Sequence, residues 1–159
     1  MLTNDSIKIK YLCDHIVYAE TVAKWCYEEF VVGIRNDLSY ADVLATMNKC
    51  YKQELPIRLI ALINDKCVGT VSIVVNDLRC RTYTPWLAAL YVDSDFRNQR
   101  IGRILIASVQ SIVRQSGYTE LFLRTEHASD YYRKLGWTFI ETCDDSFGLK
   151  PDVFRLDVM

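Results

Sequence analysis

The sequence predicts one α/β domain with a mixed sheet, in the element order β-α-α-β-β-β-α-β-α-β-β. Two observations favour this fold class. Apolar residues recur with a period of about 3.6 in some segments and form short continuous or alternating runs in others, which are typical of helices and strands respectively. The 159 residues are 50% apolar and 25% charged, without a linker or an internal repeat, as in a single globular domain over residues 1–159.

The first three elements are a strand and two helices. Residues 7–12 predict the strand, and Asp14 is a candidate N-cap for a helix in which apolar side chains recur over residues 16–30. Ser39 begins the second helix. Asp42 follows three residues later, which is the pattern of a capping box.

Three strands are predicted next. A short polar turn joins residues 57–63 to residues 67–75, which predicts an antiparallel hairpin. After a polar loop, residues 86–92 are almost wholly apolar. A strand without polar alternation is typically buried on both faces, so we expect this one to lie centrally in its sheet.

Helical spacing returns at Ile101 and ends at Gly117, which is placed as a left-handed C-cap. The remaining elements are predicted from shorter runs of the same two kinds. They are a strand at residues 120–125, a short helix at 128–135, and strands at 137–142 and 153–159.

Charge and cysteine usage exclude several classes of protein. The formal net charge of −1 gives no basic field, so nucleic acid is not an expected partner. No apolar run reaches the ~20 residues that span a bilayer, and the start of the chain has no apolar signal segment, so we expect a cytoplasmic protein without a membrane partner. The spacing of the cysteines predicts no metal site and favours thiols that serve as small apolar core groups: Cys13, Cys26, Cys50, Cys67, Cys80 and Cys143.

The segment most informative about function is residues 90–109. An apolar strand ends in a polar turn and a helix starts at once, so free N–H groups and the positive end of a helix dipole lie together. Gly102 lets a ligand approach the backbone, and Arg97, Arg100 and Arg103 add positive charge. Two interpretations are open from these residues: a phosphate or pyrophosphate site, or a solvated basic turn.

Residues 97–102, which follow the strand residues 90–92, resemble the acyl-CoA-binding motif of the GNAT superfamily of N-acyltransferases. That motif reads Arg/Gln-x-x-Gly-x-Gly/Ala, and here Arg100 stands in place of its first glycine. The chain is also similar to the later family motif, Asn-x-x-Ala-x-x-x-Tyr-x-x-x-Gly-Phe. Its matching residues are Ala128, Tyr132, Gly136 and Trp137, with Thr125 in place of the asparagine.

The resemblance covers the whole chain and implies a mostly antiparallel sheet flanked by helices. It also implies that two central strands, near residues 87–92 and 120–125, splay apart around an acyl-pantetheine arm. The expected cosubstrate is acetyl-CoA, without a metal. The expected cofactor-binding residues are Leu90, Tyr91, Val92, Arg97, Asn98, Gln99, Arg100, Ile101, Gly102, Arg103, Thr125, Ala128 and Tyr132.

Acyl transfer needs a base for the ammonium, a donor for the oxyanion and an acid for the departing thiolate. The resemblance assigns the acid to Tyr132 rather than Tyr131 and the oxyanion donor to the N–H of Val92. The base stays open between Asp77, Glu126, His127 and a chain of waters. Tyr83, Trp86 and Trp137 are interpreted as core residues or, alternatively, as walls of an acceptor pocket.

Two functions therefore remain. The first is an N-acetyltransferase, monomeric or homodimeric, that moves an acetyl group from acetyl-CoA to a primary amine of a small molecule or protein. The second is a module that binds acyl-CoA without catalysis. A nucleotide-binding domain of another class is disfavoured, because no P-loop lysine follows the glycine.

Overall fold

The alternating strand and helix patterns fold into one seven-stranded sheet with four α-helices, described for residues 6–159 in a computed structural model. The strands follow the order β1-β2-β3-β4-β5-β7-β6, and every neighbouring pair is antiparallel except β4 with β5. The predicted element order and the mostly antiparallel sheet are confirmed. The elements are β1 (Lys8–Tyr11), α1 (Ala19–Phe30), α2 (Tyr40–Met47), β2 (Ile57–Ile63), β3 (Lys66–Val74), β4 (Trp86–Val92), α3 (Ile101–Gln115), β5 (Glu120–Thr125), α4 (Ser129–Lys134), β6 (Thr138–Thr142) and β7 (Asp152–Asp157).

The sheet is covered by helices on both faces. Alternate side chains of β2 point to opposite sides, so Ile60 packs with α1 and α2 while Leu59 packs with α3. The helix α3 lies especially close to β3 at Gly69, where an added Cβ would meet the carbonyl oxygen of Tyr91 at 3.2 Å and the Leu105 side chain at 3.2 Å. This approach places the start of α3 directly beside the end of β4.

Two local predictions are confirmed in detail. In the capping box of α2, the amide of Asp42 donates to Ser39 Oγ at 3.1 Å, and the amide of Ser39 donates to the Asp42 carboxylate at 2.9 Å. The hairpin of β2 and β3 turns at Asn64 and Asp65, which both have positive φ, as a two-residue turn of type I′ requires.

The predicted start of the first helix is wrong. Residues 12–14 and 16–18 form short 3₁₀ turns, and α1 begins only at Ala19. Asp14 caps no α-helix and instead pairs with Lys52 Nζ at 2.8 Å. The prediction that all six thiols are core groups is also only partly right, because Cys26 and Cys67 are buried but Cys80 is exposed.

The helices of residues 6–159 include none that is long and apolar enough to cross a membrane. The same range holds no group of three or more His, Cys, Asp or Glu side chains placed to bind a metal ion.

Candidate active site

The central strands β4 and β5 separate after a single ladder pair. Within the described residues, their parallel ladder consists of the pair Trp86 and Phe122. A bulge then bends β4: Ala89 has φ of 54°, and the pairing with β3 shifts between Thr70 and Ser72. The backbone of β4 beyond Ala89 is thereby turned away from β5, and a gap opens between the two strands.

This gap explains an error in the sequence prediction. The strand is central in the sheet, as expected, but only its first half, including Trp86 and Leu87, is buried. The later residues, from Ala89 to Val92, are half-buried, because β5 does not cover them. The apolar residues of β4 therefore have two roles: the first half of the strand belongs to the core, and the second half forms an apolar wall of the gap.

The start of α3 lies at the end of β4. Its N-cap residue, Arg100, has φ of 65° and ψ of 13°, which is the left-handed conformation that favours glycine. No side chain caps the helix, so the amides of Ile101, Gly102 and Arg103 have no partner within it. A Cβ added at Gly102 would contact only Val92, at 3.8 Å, so the protein leaves open space beside the backbone in the first turn of α3.

The three arginines of this turn behave differently. Arg97 folds back onto β4: its Nε donates to the carbonyl oxygen of Val92 at 3.0 Å, and its guanidinium lies 5.3 Å from the centre of the Tyr91 ring. Arg100 and Arg103 are exposed. Two of the three predicted cations thus remain directed to solvent beside the amides, while the third holds the end of the strand.

A cavity of about 760 Å³ lies against the gap. We call the wall from the end of β4, the end of β5 and α4, together with the adjoining start of α3, the cofactor side. Its cavity-lining residues include Leu90, Thr125, Ala128 and Tyr132. The opposite wall, from α1, α2, Arg58 of β2, the C-terminal part of β3 and the loops at 76–80 and 145–149, is called the acceptor side. One cavity therefore joins the gap in the sheet to a chamber beneath α1 and α2.

Tyr132 stands at the junction. Its side chain is buried among aromatic neighbours, with ring centres 5.9 Å from Trp137 and 6.3 Å from Phe154. Its hydroxyl makes no hydrogen bond within residues 6–159. Burial raises the pKa of Tyr132 to about 12, so the phenol keeps its proton at neutral pH. The neighbouring Tyr131 is exposed and does not line the cavity, as the predicted register requires.

Asp77 and Glu126 face the same cavity in different electrostatic states. Glu126 is held by Arg124 Nη2 at 2.6 Å, and the same nitrogen contacts Asp145 at 2.8 Å. Asp77 makes neither a hydrogen bond nor an ion pair within residues 6–159. Burial raises its pKa to about 7; the charge of Arg124 acts in the opposite direction, and Glu126 adds to the increase. Asp77 is therefore the carboxyl group that can take up and release a proton near neutrality.

The sequence matches the acetyltransferase (GNAT) family over residues 19–137, well over half of the chain. The chain belongs to this family. No curated protein sequence matches it.

Several solved structures share the fold of this GNAT protein. They include an aminoglycoside 6'-N-acetyltransferase complexed with coenzyme A, at 19% identity and a TM-score of 0.74, over 96% of this chain and 97% of that chain. Another is the aminoglycoside 6'-N-acetyltransferase from Enterococcus faecium, at 19% identity and a TM-score of 0.72, over 96% of this chain and 97% of that chain. The structure of yncA from Salmonella typhimurium with its cofactor acetyl-CoA has 16% identity and a TM-score of 0.72, over 97% of this chain and 95% of that chain.

The predicted site residues of this GNAT protein fall into two groups. Those that line the cavity are Asp77, Leu90, Thr125, Glu126, His127, Ala128 and Tyr132. Those from residues 97–103 lie at the start of α3 outside the cavity, and the side chain of Ile101 is buried in the core. Thr125 lines the cavity, but its Oγ1 already accepts from the amide of Ala128 at 3.0 Å, so its side chain also fixes the turn into α4. The three aromatic residues left open between core and pocket prove to be core or next to it. Trp86 and Trp137 are buried. Tyr83 stacks on Phe122, with ring centres 4.9 Å apart, and does not line the cavity.

Sequence reasoning missed two polar residues that line the cavity, one in β5 and one in β2. Arg124 lies in the predicted strand β5, where its position beside Thr125 gave no hint of its two carboxylate partners. Arg58 was detectable, because it is the one charged residue in the otherwise apolar strand β2. It is buried and lines the cavity.

Proposed function

We propose that this protein is an N-acetyltransferase that moves the acetyl group of acetyl-CoA onto a primary amine by direct attack. One observation carries the proposal: the gap between β4 and β5 opens into a cavity that holds an unpaired acid with a pKa of about 7, Asp77, and a protonated phenol, Tyr132. A base and an acid whose pKa values are moved apart by their surroundings are what acyl transfer to an amine needs.

The cofactor side suits a CoA thioester. The free amides at the start of α3 form an anion site for the pyrophosphate, with Arg100 and Arg103 beside them. The pantetheine arm would lie in the gap and pair with the backbone at Leu90, Tyr91 and Val92 in the manner of an added strand. Family membership and the CoA-bound structural neighbours support this placement.

The reaction then proceeds in one addition and one elimination. Asp77 accepts a proton from the ammonium, and the neutral amine forms the new C–N bond at the thioester carbonyl. The amide of Val92 donates to the oxyanion. As the C–S bond breaks, the Tyr132 hydroxyl donates its proton to the CoA sulfur. The attacking nitrogen releases its second proton to solvent, and the phenolate recovers a proton from solvent. Glu126 is the weaker candidate for the base, because Arg124 already holds its charge.

A first experiment measures acetyl-CoA binding by calorimetry and CoA release with a panel of amines. The panel contains small primary amines, peptides with free N-termini, lysine-containing peptides and aminoglycosides, since aminoglycoside acetyltransferases are among the structural neighbours. Amine-dependent CoA release with a matching acetylated product supports the proposal. Binding of acetyl-CoA without turnover on any amine would contradict it.

The second candidate is a module that binds acyl-CoA without catalysis. The observation that favours it is the departure of the cofactor turn from the family pattern, since Arg100 occupies a left-handed position where the family has glycine. In both cases we propose a cytoplasmic protein, monomeric or homodimeric, with acetyl-CoA as its ligand. The outcome of the amine panel separates the two functions.

A further inference from the structure

Arg58 is a buried cation in the acceptor side of the cavity. It belongs to β2, whose seven residues are all buried, and it retains only 4% of its exposure. Its guanidinium bonds three neighbours: Nε donates to the Lys49 carbonyl at 3.1 Å, Nη2 to the Thr46 carbonyl at 3.2 Å and Nη1 to Ser72 Oγ at 2.9 Å. All three acceptors are neutral.

The charge of Arg58 is therefore not compensated within the protein. Among residues 6–159, no aspartate or glutamate forms an ion pair with it, and burial lowers its pKa. A guanidinium has five N–H donors, so two remain after its three bonds, one on each Nη nitrogen. Burying an unpaired cation is unfavourable, and the carbonyls at the end of α2 offset this only in part.

Arg58 lies within reach of the gap between β4 and β5. Arg58 pairs with Ser72 in the sheet, and Ser72 pairs with Ala88, which is adjacent to the bulge at Ala89. The guanidinium leans on Ser72 of β3, so one to two strand spacings, about 5–10 Å, separate it from the gap beyond β4. Arg58, Ser72, Asp77 and Tyr132 all line the same cavity.

We propose that the acceptor is an amine that also has a carboxylate, and that Arg58 binds this carboxylate while the amine lies beside Asp77. This inference rests on the proposed function, because it names the acceptor of the same site. A carboxylate can accept two N–H groups from one guanidinium, which provides both charge and direction. The separation of about 5–10 Å favours an amine several bonds from the carboxylate, as in an ω-amino acid or a short peptide, over an α-amino acid.

Arg58 also has a structural interpretation, since its bonds to the Thr46 and Lys49 carbonyls fasten the end of α2. A purely structural residue would affect folding without distinguishing acids from esters. The matched control is Arg35, which lines the same cavity but is already paired with Asp37 through two bonds of 2.9 and 3.2 Å.

The experiment titrates γ-aminobutyrate, ε-aminocaproate, glycine and the methyl ester of each into the protein saturated with CoA. Because this complex needs no turnover, the result tests Arg58 whether or not acetyl transfer occurs. We expect the two longer acids to bind about 10- to 100-fold more tightly than their esters, as for a charge-assisted hydrogen-bond pair. Arg58→Gln should remove the difference, and Arg35→Gln should retain it.

Two further readings complete the test. The first is the preference of the wild-type protein for acid over ester, which can be measured even if Arg58→Gln fails to fold. The second is Arg58→Lys, which keeps the positive charge and should retain part of this preference. Equal binding of acids and esters by the wild-type protein overturns the inference. So does a preference that survives in folded Arg58→Gln or disappears in Arg35→Gln. CoA release with amines that lack a carboxylate would leave the proposed function standing while contradicting the role of Arg58.

Discussion

The cofactor side and the acceptor side of the cavity are assembled from different kinds of sequence. The cofactor side comes from two continuous stretches, residues 90–103 and 125–132, in which each residue is placed by a strand end or a helix start next to it. The acceptor side combines side chains that lie far apart in the chain, such as Arg58 from β2 and Asp77 from the loop after β3. The first kind of site is defined by local backbone geometry, whereas the second is defined by what tertiary packing brings together.

The largest expected effect tests the junction of the two sides. Tyr132→Phe keeps the ring packing on Trp137 but removes the hydroxyl, so kcat should fall about 10²- to 10⁴-fold, as for the loss of a general acid. Acetyl-CoA affinity should change little. Steady-state kinetics and calorimetry measure the two quantities, with the exposed Tyr131→Phe as the matched control. A larger loss in Tyr131→Phe would show that the register is wrong by one residue.

The role of Asp77 as the base can be tested by the pH dependence of both activity and stability. With a pKa near 7, its carboxylate forms as the pH rises, so kcat/KM should increase through about pH 7 and Asp77→Asn should lack this rise.

Stability should move in the opposite direction. Because folding raises this pKa from 3.8, the folded state holds its proton more tightly, and Asp77 increasingly destabilises the protein between pH 4 and 7. Thermal unfolding of Asp77→Asn should therefore show a higher Tm than the wild type at pH 8 and an unchanged Tm at pH 4. A rising limb that persists in Asp77→Asn would assign the base to another group, and Glu126→Gln would then be the next variant to measure.

Gly102→Glu separates ligand binding from folding. The side chain enters the open space beside the first turn of α3 and repels phosphate, so acetyl-CoA affinity should fall by about 10-fold or more. An acid in the first turn of a helix is favourable to the helix, so the Tm should not fall. Gly102→Ala is the smaller control, because its Cβ has room at 3.8 Å from Val92. Unchanged affinity in Gly102→Glu would place the pyrophosphate elsewhere.

Gly69→Ala tests the close packing that aligns α3 with β4. Its Cβ would lie at 3.2 Å from the Tyr91 carbonyl oxygen, and a backbone atom in a paired strand cannot easily move. We expect a loss of about 1–3 kcal/mol in the free energy of unfolding, as for overpacking, measured by urea denaturation. A stability equal to that of the wild type would mean that α3 shifts without cost.

Arg100→Gly should have the smallest effect on stability and the most instructive sign. Glycine accepts the left-handed conformation of residue 100 at no steric cost, so the free energy of unfolding should increase by about 0.5–1 kcal/mol. If the exposed guanidinium contacts a phosphate, acetyl-CoA affinity should decrease in the same variant, and Arg100→Ala should lose a similar affinity without the gain in stability. A variant that binds acetyl-CoA better would show that Arg100 is only tolerated there.

Much of the fold could be predicted because its signals are local. The capping box at Ser39, the turn at Asn64 and Asp65, and the C-cap at Gly117 depend on neighbouring residues and were found at the predicted places. The start of α1 could not be found in this way. The apolar spacing of residues 16–18 continues into the helix, but the chain forms a 3₁₀ turn there that leaves Val17 exposed.

By itself, the sequence determined the order of the elements and the family motifs at residues 97–102 and 125–137, because strand alternation, helix periodicity and glycine positions act over a few residues. Tertiary structure alone decided how far β4 and β5 separate, that Arg124 holds Glu126 while Asp77 is left unpaired, and that Arg58 is buried without a counter-charge. These properties depend on desolvation and on the distances between charges, which exist only after the sheet and its helices have packed.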